Sequence, residues 1–166
     1  MTLTLFYIAG AIALAATGIA LTRVNAIHAH VRDKKGNHIL DTGLYLELIK
    51  ELSTITIGDP QDFSHFINAV IHKRSFNKLT DVIKKVKKDK SAKIIFGGKF
   101  DDTMGYFIEP TVIVTNNPNY FTMKEELFGP ILTIYIYNDK NFDRVLELID
   151  KTSPYALTGS IFAKNR

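Results

Sequence analysis

Residues 131–137 read Ile131-Leu132-Thr133-Ile134-Tyr135-Ile136-Tyr137, without a charge and, Leu132 aside, entirely β-branched or aromatic. That composition favours extended backbone, and the lack of polar alternation predicts a strand covered on both faces. Gly129-Pro130 sets its start, because proline has no amide hydrogen to donate and biases the preceding residue away from helix. Just upstream, the turn Lys124-Glu125-Glu126-Leu127-Phe128 presents two carboxylates and a phenyl ring beside the strand's first residue. On the residues alone, Glu126 is either an exposed turn acid or a ligand-binding carboxylate. Phe128 is either a core anchor or a ligand contact.

A strand covered on both faces needs neighbours of suitable period, and the chain around it has them. Tyr45, Leu48, Ile49 and Leu52 recur at helical spacing. Ile55 and Ile57 alternate with Thr before Gly58-Asp59-Pro60 breaks the chain. Ser75 is placed to cap a helix whose apolar stripe is Phe76, Leu79, Val82, Ile83 and Val86. The other face carries Lys78, Lys84, Lys85 and Lys88, with Asp81 spaced to pair with Lys85. Short strands follow over residues 93–96, closed by Gly97-Gly98, and over 111–115, closed by an Asn-rich turn. After the central strand, Asn138-Asp139-Lys140-Asn141 caps a helix with Phe142, Val145, Leu146 and Ile149 on one face, and a last strand covers 158–163. Strand, helix, strand in succession predicts an α/β fold with mostly parallel strands. Since a domain rarely stops directly after such a strand, residues 44–166 read as a domain cut short.

Hydrophobic residues at 46% and charged residues at 23% suit a folded chain and exclude general disorder. There is no cysteine, which excludes disulfides, thiolate metal sites and a cysteine nucleophile from these residues. The net charge of +4 is concentrated on one lysine-rich helix face, better read as a solvated surface than as a nucleic-acid site. His28 and His30 have no carboxylate or thiolate at metal-ligand spacing. Residues 1–22 carry no charge. As a helix they would extend about 33 Å, against a hydrocarbon core of about 30 Å, which predicts a single transmembrane helix. Arg23, Arg32, Lys34 and Lys35 follow it and place the body on the cytoplasmic side, with residues 23–43 as a polar linker. A membrane-anchored, non-catalytic interaction module is one expectation from this pattern; the expected location is the membrane with the body cytoplasmic if this segment is genuine, and cytoplasmic otherwise. The stretch from Leu3-Thr4-Leu5-Phe6-Tyr7 to Ile27-His28-Ala29 also resembles the first membrane helix of chain J of the bacterial NADH-quinone oxidoreductase.

Over residues 44–166 the motifs resemble the C-terminal part of the catalytic domain of aldehyde dehydrogenases. They are Ile57-Gly58-Asp59-Pro60, Phe66-Ile67-Asn68-Ala69-Val70-Ile71, Ser75-Phe76, Gly97-Gly98, Gly105-Tyr106-Phe107-Ile108-Glu109-Pro110-Thr111, Glu125-Glu126-Leu127-Phe128-Gly129-Pro130 and Tyr155-Ala156-Leu157-Thr158-Gly159. Asn68-Ala69, where general members carry Gly-Pro, resembles the 1-pyrroline-5-carboxylate dehydrogenase branch, which oxidises glutamate γ-semialdehyde to glutamate with NAD in proline catabolism.

The resemblance implies that Glu126 accepts hydrogen bonds from the nicotinamide-ribose hydroxyls and that Phe128 lies against the nicotinamide ring. Glu125 is expected at the surface, and Glu109 in a structural role. The family's nucleophilic cysteine, general base and nucleotide-binding domain have no counterpart in these residues, and the oligomerisation strand is expected beyond Arg166. The implied function is a fragment of an NAD-dependent aldehyde dehydrogenase with a small-molecule aldehyde substrate, inactive as an isolated chain.

Overall fold

A computed structural model of the chain describes residues 6–8, 26–29, 42–137, 141–154 and 160–162. In chain order the elements are β1 (Phe6–Ile8), β2 (Ala26–Ala29), α1 (Thr42–Ser53), α2 (Lys73–Lys88), β3 (Ala92–Phe96), β4 (Phe100–Asp101), β5 (Phe107–Ile108), β6 (Thr111–Thr115), α3 (Phe121–Lys124), β7 (Ile131–Ile136), α4 (Phe142–Thr152) and β8 (Ser160–Phe162). The main sheet has the order β3-β6-β7-β2-β1-β8, and β4 and β5 form a separate two-stranded ribbon.

The uncharged run becomes β7, near the middle of that sheet. Alternate residues face opposite ways, and both faces are covered. Ile131 and Tyr135, with Ile113 of β6, pack against Phe76, Leu79, Ile83 and Val86 of α2. Ile134 and Val112 form a second cluster on the other face, against Leu48 and Leu52 of α1. All five apolar positions expected on α2 are buried, with Leu79 and Ile83 fully enclosed. Burying such side chains contributes about 1.5–3 kcal/mol each, so α2 and β7 hold the described body together.

The sheet is mixed, not mostly parallel. β6 and β2 run parallel to β7, whereas β3 pairs antiparallel with β6, and β1 pairs antiparallel with both β2 and β8. The chain therefore does form the expected crossover from β7 through α4 to β8, with both strands in one direction, but β2 and β1 lie between them. Their presence also corrects the transmembrane expectation. Phe6–Ile8, within the segment expected as a membrane helix, is a strand, and so is Ala26–Ala29, within the expected linker. Among the described residues no helix is long and apolar enough to cross a membrane. The likeness to a respiratory-complex membrane helix and the membrane anchor thus find no support, because extended residues hydrogen-bonded into this sheet cannot also be turns of that helix. The remainder of 1–22 and His30 lie outside the described residues.

Other local expectations shift by small amounts. Ile57 makes only an isolated bridge to Ile67. α2 begins two residues before Ser75; His72 is its N-cap, and its Nδ1 accepts the Ser75 amide hydrogen at 3.0 Å. A neutral imidazole nitrogen can do what Ser, Thr or Asp oxygens usually do at this position, satisfying one of the helix's unpaired amides. His72→Ala is expected to lower unfolding free energy by about 1 kcal/mol in urea titrations, and His72→Asp to restore it. Equal stability of the alanine variant and the parent would show the cap to be idle. Asp81 lies 4.0 Å from Lys84, not from Lys85, whose ammonium sits 3.8 Å from the centre of the Phe121 ring.

Candidate cofactor-contact site

The turn is held at the entrance of β7 by contacts with α2, β6 and α3. α3 was not legible in the sequence, because four residues carry no periodic signal. It ends at Lys124, so the turn begins at Glu125, whose amide hydrogen returns to the Phe121 carbonyl. Thr122 on α3 and Thr133 on β7 are both fully buried and share a hydrogen bond of 2.7 Å between hydroxyls, fixing α3 against the strand. A hydroxyl pair of this kind is costly to break on one side only, since the partner is then left buried and unpaired.

From α3 the chain alternates between core and surface. Glu125 is exposed and Glu126 half-buried, Leu127 is only 2% exposed, Phe128 is 45% exposed, and Gly129 is buried. Leu127 is the core anchor of the turn; Phe128 is not. Phe128 has φ of +53°, the only non-glycine residue in the left-handed region among those described. A side chain with a Cβ pays about 1–2 kcal/mol to stand there, so neighbouring contacts must impose the conformation. Gly129 supplies one of them: a Cβ at that position would lie 2.4 Å from Leu79 Cδ1, so the turn's backbone rests directly on α2. The Pro130 carbonyl accepts the Thr111 amide hydrogen at 2.8 Å, tying the exit of the turn to β6. On its entry side, the Glu126 carbonyl accepts a hydrogen bond from Lys78 Nζ at 2.8 Å.

Gly97 and Gly98 border the same end of β6, with φ of +71° and +85°. The Gly98 amide hydrogen goes to Thr111 Oγ1 at 3.0 Å, and that hydroxyl donates to the Glu109 carbonyl at 2.8 Å. Glu109 itself accepts from the Lys99 amide through Oε2 at 3.2 Å. Among the described residues no group of three acidic, histidine or cysteine side chains could hold a metal ion.

At the far end of β7, burial, with Tyr135 stacked at 6.2 Å between ring centres, pushes the Tyr137 phenol up to about 12. Burial and the nearby Asp89 carboxylate push Tyr120 up further. A phenol raised in the folded state keeps its proton when the unfolded chain has already lost it. Its contribution to stability is therefore complete below about pH 10 and disappears as pH climbs towards 12. Wild-type stability should fall across that window more steeply than that of Tyr137→Phe, by up to about 1.4 kcal/mol per pH unit. Superimposable pH profiles in urea titrations would contradict this.

A family model for the aldehyde dehydrogenase family matches residues 37–166. The chain belongs to the aldehyde dehydrogenase family. A probable delta-1-pyrroline-5-carboxylate dehydrogenase of Schizosaccharomyces pombe is 46% identical over 127 residues, covering 76% of this chain and 23% of that protein. The mitochondrial delta-1-pyrroline-5-carboxylate dehydrogenase of Dictyostelium discoideum is 48% identical over 119 residues, 72% of this chain and 21% of that one. Among solved structures, the Delta-pyrroline-5-carboxylate dehydrogenase of Mycobacterium tuberculosis bound with NAD is similar with a TM-score of 0.62 and 31% identity, over 78% of this chain and 22% of that chain. This aldehyde dehydrogenase chain thus spans roughly a fifth of the length of the relatives it matches. Strands β1 and β2 lie outside the matched residues.

Proposed function

We propose that this chain carries the nicotinamide-contacting part of an NAD-dependent aldehyde dehydrogenase whose whole form oxidises glutamate γ-semialdehyde to glutamate in proline catabolism. The observation that carries the proposal is Phe128, a half-exposed phenyl ring held in left-handed backbone two residues after a half-buried carboxylate. The core does not need the exposed ring, since Leu127 takes the buried position. Backbone strain at an exposed aromatic side chain, held in place by the packing of its neighbours, points to a binding surface.

The two side chains suit the nicotinamide end of NAD. A phenyl face attracts a flat cationic ring, as oxidised nicotinamide is, and a carboxylate accepts hydrogen bonds from a vicinal diol such as the ribose hydroxyls. NAD supplies the hydride acceptor when bound. Glu126 would hold the ribose and Phe128 would limit where the ring can sit, which orients the accepting carbon. The names of the relatives support pyrroline-5-carboxylate as the substrate. The sequence contains no cysteine, so no residue here can be the thiolate nucleophile that the family's chemistry requires.

The chain is therefore expected to give no NADH absorbance with glutamate semialdehyde and NAD. In saturation-transfer NMR it is expected to pass magnetisation to the nicotinamide protons of NAD, and Phe128→Ala should reduce that transfer several-fold. Transfer unaffected by Phe128→Ala would remove Phe128 from the cofactor contact, and measurable turnover would overturn the inactive-chain reading.

A further inference from the structure

We propose that Lys78 is a positioning residue for the cofactor turn, holding Glu126 and Phe128 in their contact geometry from outside the turn. The inference rests on the cofactor reading above for its purpose, though not for its structural content.

Lys78 and Leu79 are consecutive on α2, and they grip the turn at two points. Leu79, fully buried, lies under Gly129 on the exit side of Phe128. Lys78 is exposed, and its ammonium donates to the Glu126 carbonyl on the entry side, 48 positions away in sequence. The left-handed residue thus stands between two fixation points borne by one helix. Leu127, buried between them, sets the depth of the turn but not the direction of the Glu126 peptide. A charged donor pulling on that carbonyl orients the Glu126–Leu127 peptide plane, and so the backbone from which the Glu126 side chain leaves and which leads through Leu127 into Phe128. Other lysines of α2 are engaged elsewhere: Lys84 with Asp81, Lys85 over Phe121, and Lys87 with the Gly98 carbonyl at 2.7 Å. None of those contacts reaches the turn, whereas the hydrogen bond of Lys78 does.

The test uses the full chain labelled with 4-fluorophenylalanine at its 11 phenylalanines, with the Phe128 signal identified by its loss in Phe128→Tyr. Fluorine NMR is recorded for the parent, Lys78→Met, Lys78→Gln and Lys78→Arg, without ligand and through an NAD titration. In the absence of NAD, Lys78→Met and Lys78→Gln should move the Phe128 signal alone towards the position of free fluorophenylalanine. Lys78→Arg, which keeps a charged donor, should restore it. On titration, the first two variants should need at least ten times more NAD than the parent for the same Phe128 shift. A Phe128 signal unmoved in Lys78→Met and Lys78→Gln overturns the proposal. So does movement of all eleven signals in both, because Lys78 would then support the fold and not the turn. If NAD leaves the parent's Phe128 signal unchanged, the cofactor reading falls, and the ligand-free comparison still decides whether Lys78 positions the turn.

Discussion

Gly97→Ala is expected to cost about 4 kcal/mol of unfolding free energy, whereas Gly98→Ala, one residue on, should cost only about 1 kcal/mol. Both glycines have left-handed backbone, at +71° and +85°, so both variants bear the same conformational penalty. The difference lies in what the new methyl meets. At Gly97 it would stand 1.9 Å from the carbonyl oxygen of Pro110, a backbone atom at the threshold of β6. That oxygen cannot swing away without displacing Thr111, whose amide is bonded to Pro130 and whose hydroxyl is bonded to Gly98. At Gly98 the methyl would meet only the ends of the Ile94 and Lys87 side chains, at 3.4 Å, which is ordinary contact. Urea denaturation of the two variants gives the comparison directly. Equal losses would show that the Pro110 carbonyl yields easily and that β6 is less firmly seated than its hydrogen bonds imply.

Leu79 and Gly129 are expected to be energetically coupled. Leu79→Ala removes a fully buried side chain from beneath the turn and should cost about 2–5 kcal/mol, the usual range for a cavity of this kind. Gly129→Ala places a methyl 2.4 Å from Leu79 Cδ1 and 2.6 Å from Cδ2 and should cost about 1–3 kcal/mol through overpacking. In the double variant the smaller residue at 79 makes room for the methyl at 129. The two losses should therefore sum to about 1–2 kcal/mol more than the double variant suffers. Additivity to within about 0.5 kcal/mol would mean that the Leu79 side chain turns aside at no cost. The same cycle, followed by the fluorine signal of Phe128, would show whether relieving the clash also returns the ring to its parent position.

Several elements follow from short-range pattern and were legible in the chain. α2 shows its stripe because five apolar residues fall at helical spacing and all five enter one core. β6 runs over 111–115, as its composition predicts, and β7 departs from the 131–137 run by one residue. The family could be read from motifs scattered across the body, since each is a glycine, proline or charged turn whose local geometry restricts substitution. Where the reading failed, long-range pairing was responsible. Periodicity in residues 1–22 does not say which sheet could accept three of them, and β1 gains its place only by lying between β2 and β8. Strand direction is likewise a property of the partner: β3 returns antiparallel on β6 because of the turn and ribbon between them.

The turn that enters β7 shows the division most clearly. By itself the sequence established that a carboxylate and a phenyl ring stand beside a buried strand, and that no cysteine is available to act with them. It left open whether Phe128 points into the core or away from it. Only the tertiary structure decided that, because Leu127 takes the buried position while Gly129 rests on Leu79 and Lys78 holds the Glu126 carbonyl. Both helix residues lie about fifty positions upstream, beyond the reach of any local pattern. Packing against α2 is what turns a phenylalanine that could have filled the core into one held out at the surface in left-handed backbone.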